Sequence, residues 1–223
     1  MRKKIFIIIE VLIISFFFTL SLKASILSDI IPTELKNIEL EMNYTDFKLN
    51  YPEAKTVGNA SEAFCILEFS NDDMWSGSSL IFKNGKLKYL SLIRQTPENE
   101  IDVEQYFNVN QKVVPTLEKI IKILGKKIIP KINKKKDNTI IYYEPVIVWK
   151  SGKNEVCLNY TPQKNLKSAL VPHVTLSIIS EGENFSFYFK ELFESNDGQI
   201  SFKDILDENI KTLLYDSSEV IIK

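Results

Sequence analysis

The sequence predicts an α+β protein built as two helix-plus-antiparallel-meander units in two layers, followed by a C-terminal helix. Three observations carry that reading. Asn84-Gly85 sits between two apolar runs and marks a tight hairpin, because both residues tolerate the positive φ of a primed turn. Val113, Val114, Leu117, Ile120, Ile121 and Leu124 recur at helical spacing before Gly125, the residue expected at a left-handed C-terminal cap. Apolar and polar residues alternate through Val156-Leu158-Tyr160 and Val174-Leu176-Ile178, the pattern of strands with one buried face.

The amino terminus comes first in chain order. Met1-Arg2-Lys3-Lys4 is a basic head, and Ile5 to Leu22 is apolar apart from Glu10, Ser15, Thr19 and Ser21. That is the outline of a signal peptide over residues 1–24, with cleavage expected after Ala24. A retained membrane anchor is the alternative, at a cost of about 2 to 3 kcal/mol for Glu10 inside the bilayer. The expected location is therefore periplasmic or secreted, with a membrane-anchored form as the other reading.

The first unit, 25–100, opens with a short helix capped at Asn43, carrying Phe47 and Tyr51 on one face and stopped by Pro52. Strands are expected at 64–69, 79–83 and 86–94. The second unit, 101–180, has the helix ending at Leu124, then strands at 139–143, 146–150, 155–160 and 173–179. In the last segment, 181–223, Ser201 and Asp204 read as a capping pair for a helix whose apolar stripe is Phe202, Ile205, Leu206, Ile210, Leu213 and Leu214. Phe185 to Phe189 alternates like a strand and also fits a helix from Ser186 onward.

The opening Leu40-Glu41-Met42-Asn43-Tyr44-Thr45-Asp46-Phe47 is similar to the leucine, glycine, methionine, small polar, acidic, apolar start of one structural unit. That unit occurs in tandem in β-lactamase inhibitor protein and singly in small envelope lipoproteins, and Ile38 to Ile179 resembles the tandem form. Glu41 stands at the glycine position, and Asn110 to Leu117 carries no second such start. The resemblance implies binding to other proteins on the sheet surface, or a part in envelope assembly.

Composition removes several functions. One His among 223 residues excludes a multi-histidine metal centre, and two Cys are too few for a zinc knuckle or a disulfide framework, so no metal or cofactor is expected. His173 has no nucleophile motif near it in sequence. Cleavage after Ala24 removes four of the 28 basic groups and one of the 29 acids, leaving 24 against 28, an acidic balance that gives no support for nucleic-acid binding. Six of the eleven residues from Lys126 to Lys136 are lysine. Such a run reads as a solvated loop, and Lys134, Lys135 and Lys136 are the place where anionic lipid or glycan would dock.

In an oxidising compartment Cys65 and Cys157 either form one disulfide, worth up to about 4 to 5 kcal/mol for a loop of about 90 residues, or are two separate buried thiols. Trp75, in a polar loop with Asp72, Asp73, Ser76 and Gly77, reads as an exposed anchor, and Tyr142 and Tyr160 as part of an aromatic face on the second sheet. The leading expectation is an exported non-enzymatic protein that binds another protein or an envelope component. The rival is a secreted hydrolase using carboxylates such as Asp72 and Asp73, which requires a cleft where acids converge.

Overall fold

The computed structural model describes residues 30–69, 75–95, 103–137, 140–160, 173–183, 192–194 and 200–215. Its contacts divide the chain into two compact units, Met1–Glu39 and Leu40–Lys223. In the first, Thr33–Leu35 forms one 3-10 turn, closed by Leu35 N donating to the Pro32 carbonyl at 2.9 Å and Ile38 N donating to Leu35 at 2.8 Å.

The second unit is an antiparallel sheet with helices, and it confirms the α+β class. Helix α1 spans Tyr44–Asn50 and is followed by strands β1 (Lys55–Gly58), β2 (Glu62–Glu68), β3 (Gly77–Lys83) and β4 (Lys86–Gln95). Helix α2 (Val103–Leu124) leads into β5 (Ile129–Asp137), β6 (Ile140–Ser151), β7 (Asn154–Tyr160) and β8 (His173–Ile179). The chain ends in β9 (Leu192–Glu194), α3 (Phe202–Ile205) and α4 (Glu208–Leu214). The strand order is β1-β2-β3-β4-β8-β7-β6-β5-β9, with every neighbouring pair antiparallel.

The local signals act as the residue chemistry requires. Asn84 and Gly85 turn β3 into β4 with φ of 52° and 70°. Gly125 ends α2 at φ 82°, its N–H returning to the Ile121 carbonyl at 2.7 Å. Val113, Leu117 and Ile120 are buried along one face of that helix.

One sheet face holds the helices. On β2, Ala63, Cys65 and Leu67 are buried while Glu62, Phe64, Ile66 and Glu68 are exposed, so the strand has two distinct sides. Register carries the buried side across the sheet from Cys65 to Leu80, Leu90, Ile178 and Val156. Helix α1 lies on this side, with Phe47 and Tyr44 packed on Phe82 at ring separations of 5.1 and 5.3 Å. Trp149, also on this side, donates from Nε1 to the Gly125 carbonyl at 3.0 Å and so fixes the end of α2.

Four sequence expectations are corrected. Strand β1 was not expected, because Lys-Thr-Val-Gly is short and mostly exposed; its order comes from pairing with β2. The lysine-rich stretch is not a solvated loop, since residues 129–137 form β5 between β6 and β9, with Ile132 and Asn133 buried. The expected strands 139–143 and 146–150 are the single strand β6, and Pro145 is tolerated inside it because the pairing with β7 begins only at Val146. The C-terminal helix is two helices. Leu206 and Asp207 are extended, and the Asp207 side chain accepts from Asn209 N to cap α4, while Ser201 makes no side-chain cap. Its apolar stripe nevertheless holds, with Phe202, Leu206, Ile210 and Leu214 buried. Residues 185–189 lie outside the described residues.

Candidate interaction surface

The second face of the sheet follows from the same registers. One row runs Val57, Phe64, Ile81, Tyr89 and Ile179 across β1, β2, β3, β4 and β8. The next runs Lys55, Ile66, Ser79, Ser91, Ser177 and Cys157, reaching β7. Exposure changes along these rows. Tyr89, Ile179 and Cys157 are buried and cluster with Val146 and Val148, whereas Val57, Phe64 and Ile66 remain 73%, 41% and 38% exposed. The apolar row thus begins in the core and ends in solvent at the β1 edge.

Polar groups in the buried part are bonded to one another. Tyr89 Oη and Ser177 Oγ are 3.0 Å apart, and Ser177 Oγ donates to Ser91 Oγ at 3.3 Å. Burial pushes the Tyr89 hydroxyl pKa up, and its serine partners only partly oppose this. Asn133 Nδ2 donates to Glu144 Oε2 at 3.3 Å, both residues being buried. Asn159 Oδ1 is buried without a hydrogen bond among the described residues.

Of the residues singled out from the sequence, Tyr142 and Lys134 to Lys136 meet on the paired strands β5 and β6, whereas Trp75 and Tyr160 lie in the core. Trp75 is 2% exposed and precedes β3, where Ser76 is bonded to the Ile93 carbonyl, so it is a core residue and not an exposed anchor. Tyr160 is wholly buried on the helix face at the end of β7. Burial pushes its hydroxyl pKa far up, beside the Asp207 backbone, and it is no surface anchor either. Tyr142 lies on β6 opposite Lys135 of β5, while Lys136 is opposite Ile141 and half-buried Lys134 opposite Tyr143. Asp72 and Asp73, proposed above as hydrolytic carboxylates, lie outside the described residues.

Cys65 and Cys157 are free thiols, and both are buried. They stand on opposite faces, and four strand steps of about 4.8 Å separate β2 from β7, a span of roughly 19 Å that no disulfide bridges. The disulfide alternative is therefore corrected to two separate thiols. Burial raises the pKa of each, and for Cys65 contact with Thr56 Oγ1 at 3.4 Å offsets part of the effect.

A depression of about 660 Å³ lies between Asn43–Asp46, Ala60-Ser61 and Asn84-Gly85. It is open and polar, and its single carboxylate, Asp46, accepts from Asn43 Nδ2 at 3.1 Å. Converging acids, the requirement of the hydrolase reading, are not found there. Among the described residues no group of three or more His, Cys, Asp or Glu is placed to hold a metal ion, and no helix is long and apolar enough to cross a membrane.

Sequence reasoning missed Phe64 and Ile66 because Ala63-Phe64-Cys65-Ile66-Leu67 is apolar on both alternating sides, and Val57 because its short strand is ordered only by pairing with β2. The flanking Glu62 and Glu68 share parity with Phe64 and Ile66 and mark that side as the outer one. No protein-family model matches the chain, and no curated protein matches its sequence. The fold and this surface define an α+β protein with helices on one face of an antiparallel sheet.

Proposed function

We propose that this chain is an exported, non-enzymatic binding or envelope-associated protein that engages another protein or an envelope component through its antiparallel sheet surface. The observation that carries the reading is the exposed apolar group of Val57, Phe64 and Ile66 on the face opposite the helices. Val57 and Phe64 are direct cross-strand neighbours, as are Lys55 and Ile66, so the exposed apolar side chains adjoin one another, and adjoining exposed apolar groups mark candidate interaction sites. A two-unit architecture is part of the same reading. Helix α1 precedes β1 to β4 and helix α2 precedes β5 to β8, and the order β1-β2-β3-β4-β8-β7-β6-β5 has the mirror arrangement expected of two such units meeting at their last strands.

Export is tested by the N-terminus of the secreted product, expected at Ser25. Binding is tested by cross-linking wild-type protein and the Phe64→Asp, Ile66→Asp double variant in envelope extracts. Cross-linked products that disappear in the folded variant support the reading, and identical products from both overturn it.

A further inference from the structure

Among the described residues strand β1 is the end strand of the sheet, paired on one side only, with β2. At its turn into β2, Asn59 N donates to the Glu62 carbonyl at 2.9 Å. Antiparallel pairs alternate between bonded and non-bonded, so Val57 and Lys55 direct their main-chain groups toward β2, while Thr56 and Gly58 direct theirs outward. Lys55 and Val57 share the second face, while the Asn59 side chain turns back to accept from Ser61 N and Glu62 N at 2.9 and 3.1 Å. Gly58 has φ 105°, and a Cβ there would meet the Glu62 carbonyl at 2.2 Å, so the edge carries no side chain at that point.

We propose that this edge pairs with the same edge of a second copy of the chain about a two-fold axis through Val57, so that one antiparallel sheet runs through both copies. In that register Thr56 faces Gly58 of the second copy and Lys55 faces its Asn59. The central row on the second face becomes Phe64 and Val57 of one copy followed by Val57 and Phe64 of the other. On either side of it, Ile66 and Lys55 of one copy lead to Asn59 and Glu62 of the other. An apolar centre is thus flanked on both sides by lysine reaching toward a carboxylate, and the edge is complementary to itself. Moving the axis to Thr56 would set Lys55 against Val57 and lose that match. Within its own copy Lys55 is 2.6 Å from Glu68, an exposed pair that Glu62 of the other copy would join in this register.

The strength follows from the size. Two four-residue strands with their Val57 side chains bury on the order of 600 Å², about half of the roughly 1,200 Å² at the low end of stable specific interfaces. The pairing is therefore a weak and reversible one, visible only at high protein concentration. This association concerns the edge, and it stands whether or not the face binds a foreign protein.

Sedimentation velocity on the mature chain from about 5 to 500 µM is the test. Wild-type protein should shift from monomer to dimer. Val57→Lys, at a largely exposed position, should weaken association at least tenfold by facing two ammonium groups across the axis, with an unchanged circular-dichroism melt. Glu62→Lys should also weaken association, and the double exchange Lys55→Glu, Glu62→Lys should restore it. A wild-type monomer throughout the range, a dimer indifferent to Val57→Lys, or no rescue by the double exchange would each overturn the proposal.

Discussion

Glu41 has φ 71°, a backbone conformation that suits glycine, and it is held there by its side chain. Lys88 Nζ donates to both carboxylate oxygens at 2.7 and 2.9 Å, and Ser180 Oγ donates to Oε1. Its N–H is bonded to the Leu87 carbonyl at 2.8 Å. Replacing Glu41 with alanine removes the side-chain contacts and keeps the Cβ in the left-handed region. The carboxylate is half exposed, so the ion pair contributes only about 0.2 to 1 kcal/mol and the serine hydrogen bond about 0.5 to 1.5. Glu41→Ala should therefore cost about 1 to 2 kcal/mol. Glu41→Gly loses the same contacts but relieves roughly 1 to 2 kcal/mol of backbone cost, against about 0.5 to 1 kcal/mol of extra unfolded-state entropy. The glycine variant should thus be more stable than the alanine variant by about 0.5 to 1 kcal/mol, the reverse of the usual order. Urea unfolding followed by fluorescence of buried Trp75 and Trp149 measures both. A glycine variant no more stable than the alanine variant would refute the reasoning.

The same carboxylate gives a pH dependence. Burial raises the Glu41 pKa, but the Lys88 and Ser180 hydrogen bonds and the Lys88 and Lys86 charges outweigh it, and the net shift is below 4.5. A depressed folded-state value means that the contribution is present above pH 4.5 and fades as pH falls through the lower folded value. The stability gap between wild type and Glu41→Gln should accordingly close on acidification, which unfolding curves from neutral pH to pH 3 would show. Trp75→Ala should destabilise by about 3 to 5 kcal/mol as a core truncation, seen as a lower urea midpoint. Cys65 and Cys157 should appear as two thiols in non-reducing mass spectrometry, slow toward an aromatic disulfide reagent until the chain is unfolded, because both are buried with raised pKa.

Much of the fold was legible wherever a residue's conformational preference acts locally. The Asn84-Gly85 turn, the Gly125 cap and strands 155–160 and 173–179 fall into this class. The candidate surface was not legible. A tryptophan among loop-forming residues looks exposed, yet Trp75 is buried just before β3. Six lysines in eleven residues look solvated, yet main-chain pairing with β6 and β9 makes most of them a strand, since a ladder is indifferent to side-chain charge at half-buried positions.

Alone, the sequence determined the class and the turns, because positive φ, capping and alternation are properties of neighbouring residues. It also determined the basic, apolar character of the first 24 residues and the scarcity of His and Cys. Tertiary structure alone decided that the two thiols lie on opposite faces and that two distant side chains hold Glu41 in its glycine-like backbone. Each depends on partners far along the chain: Leu80 opposite Cys65, Ser177 opposite Cys157, and Lys88 with Ser180 around Glu41.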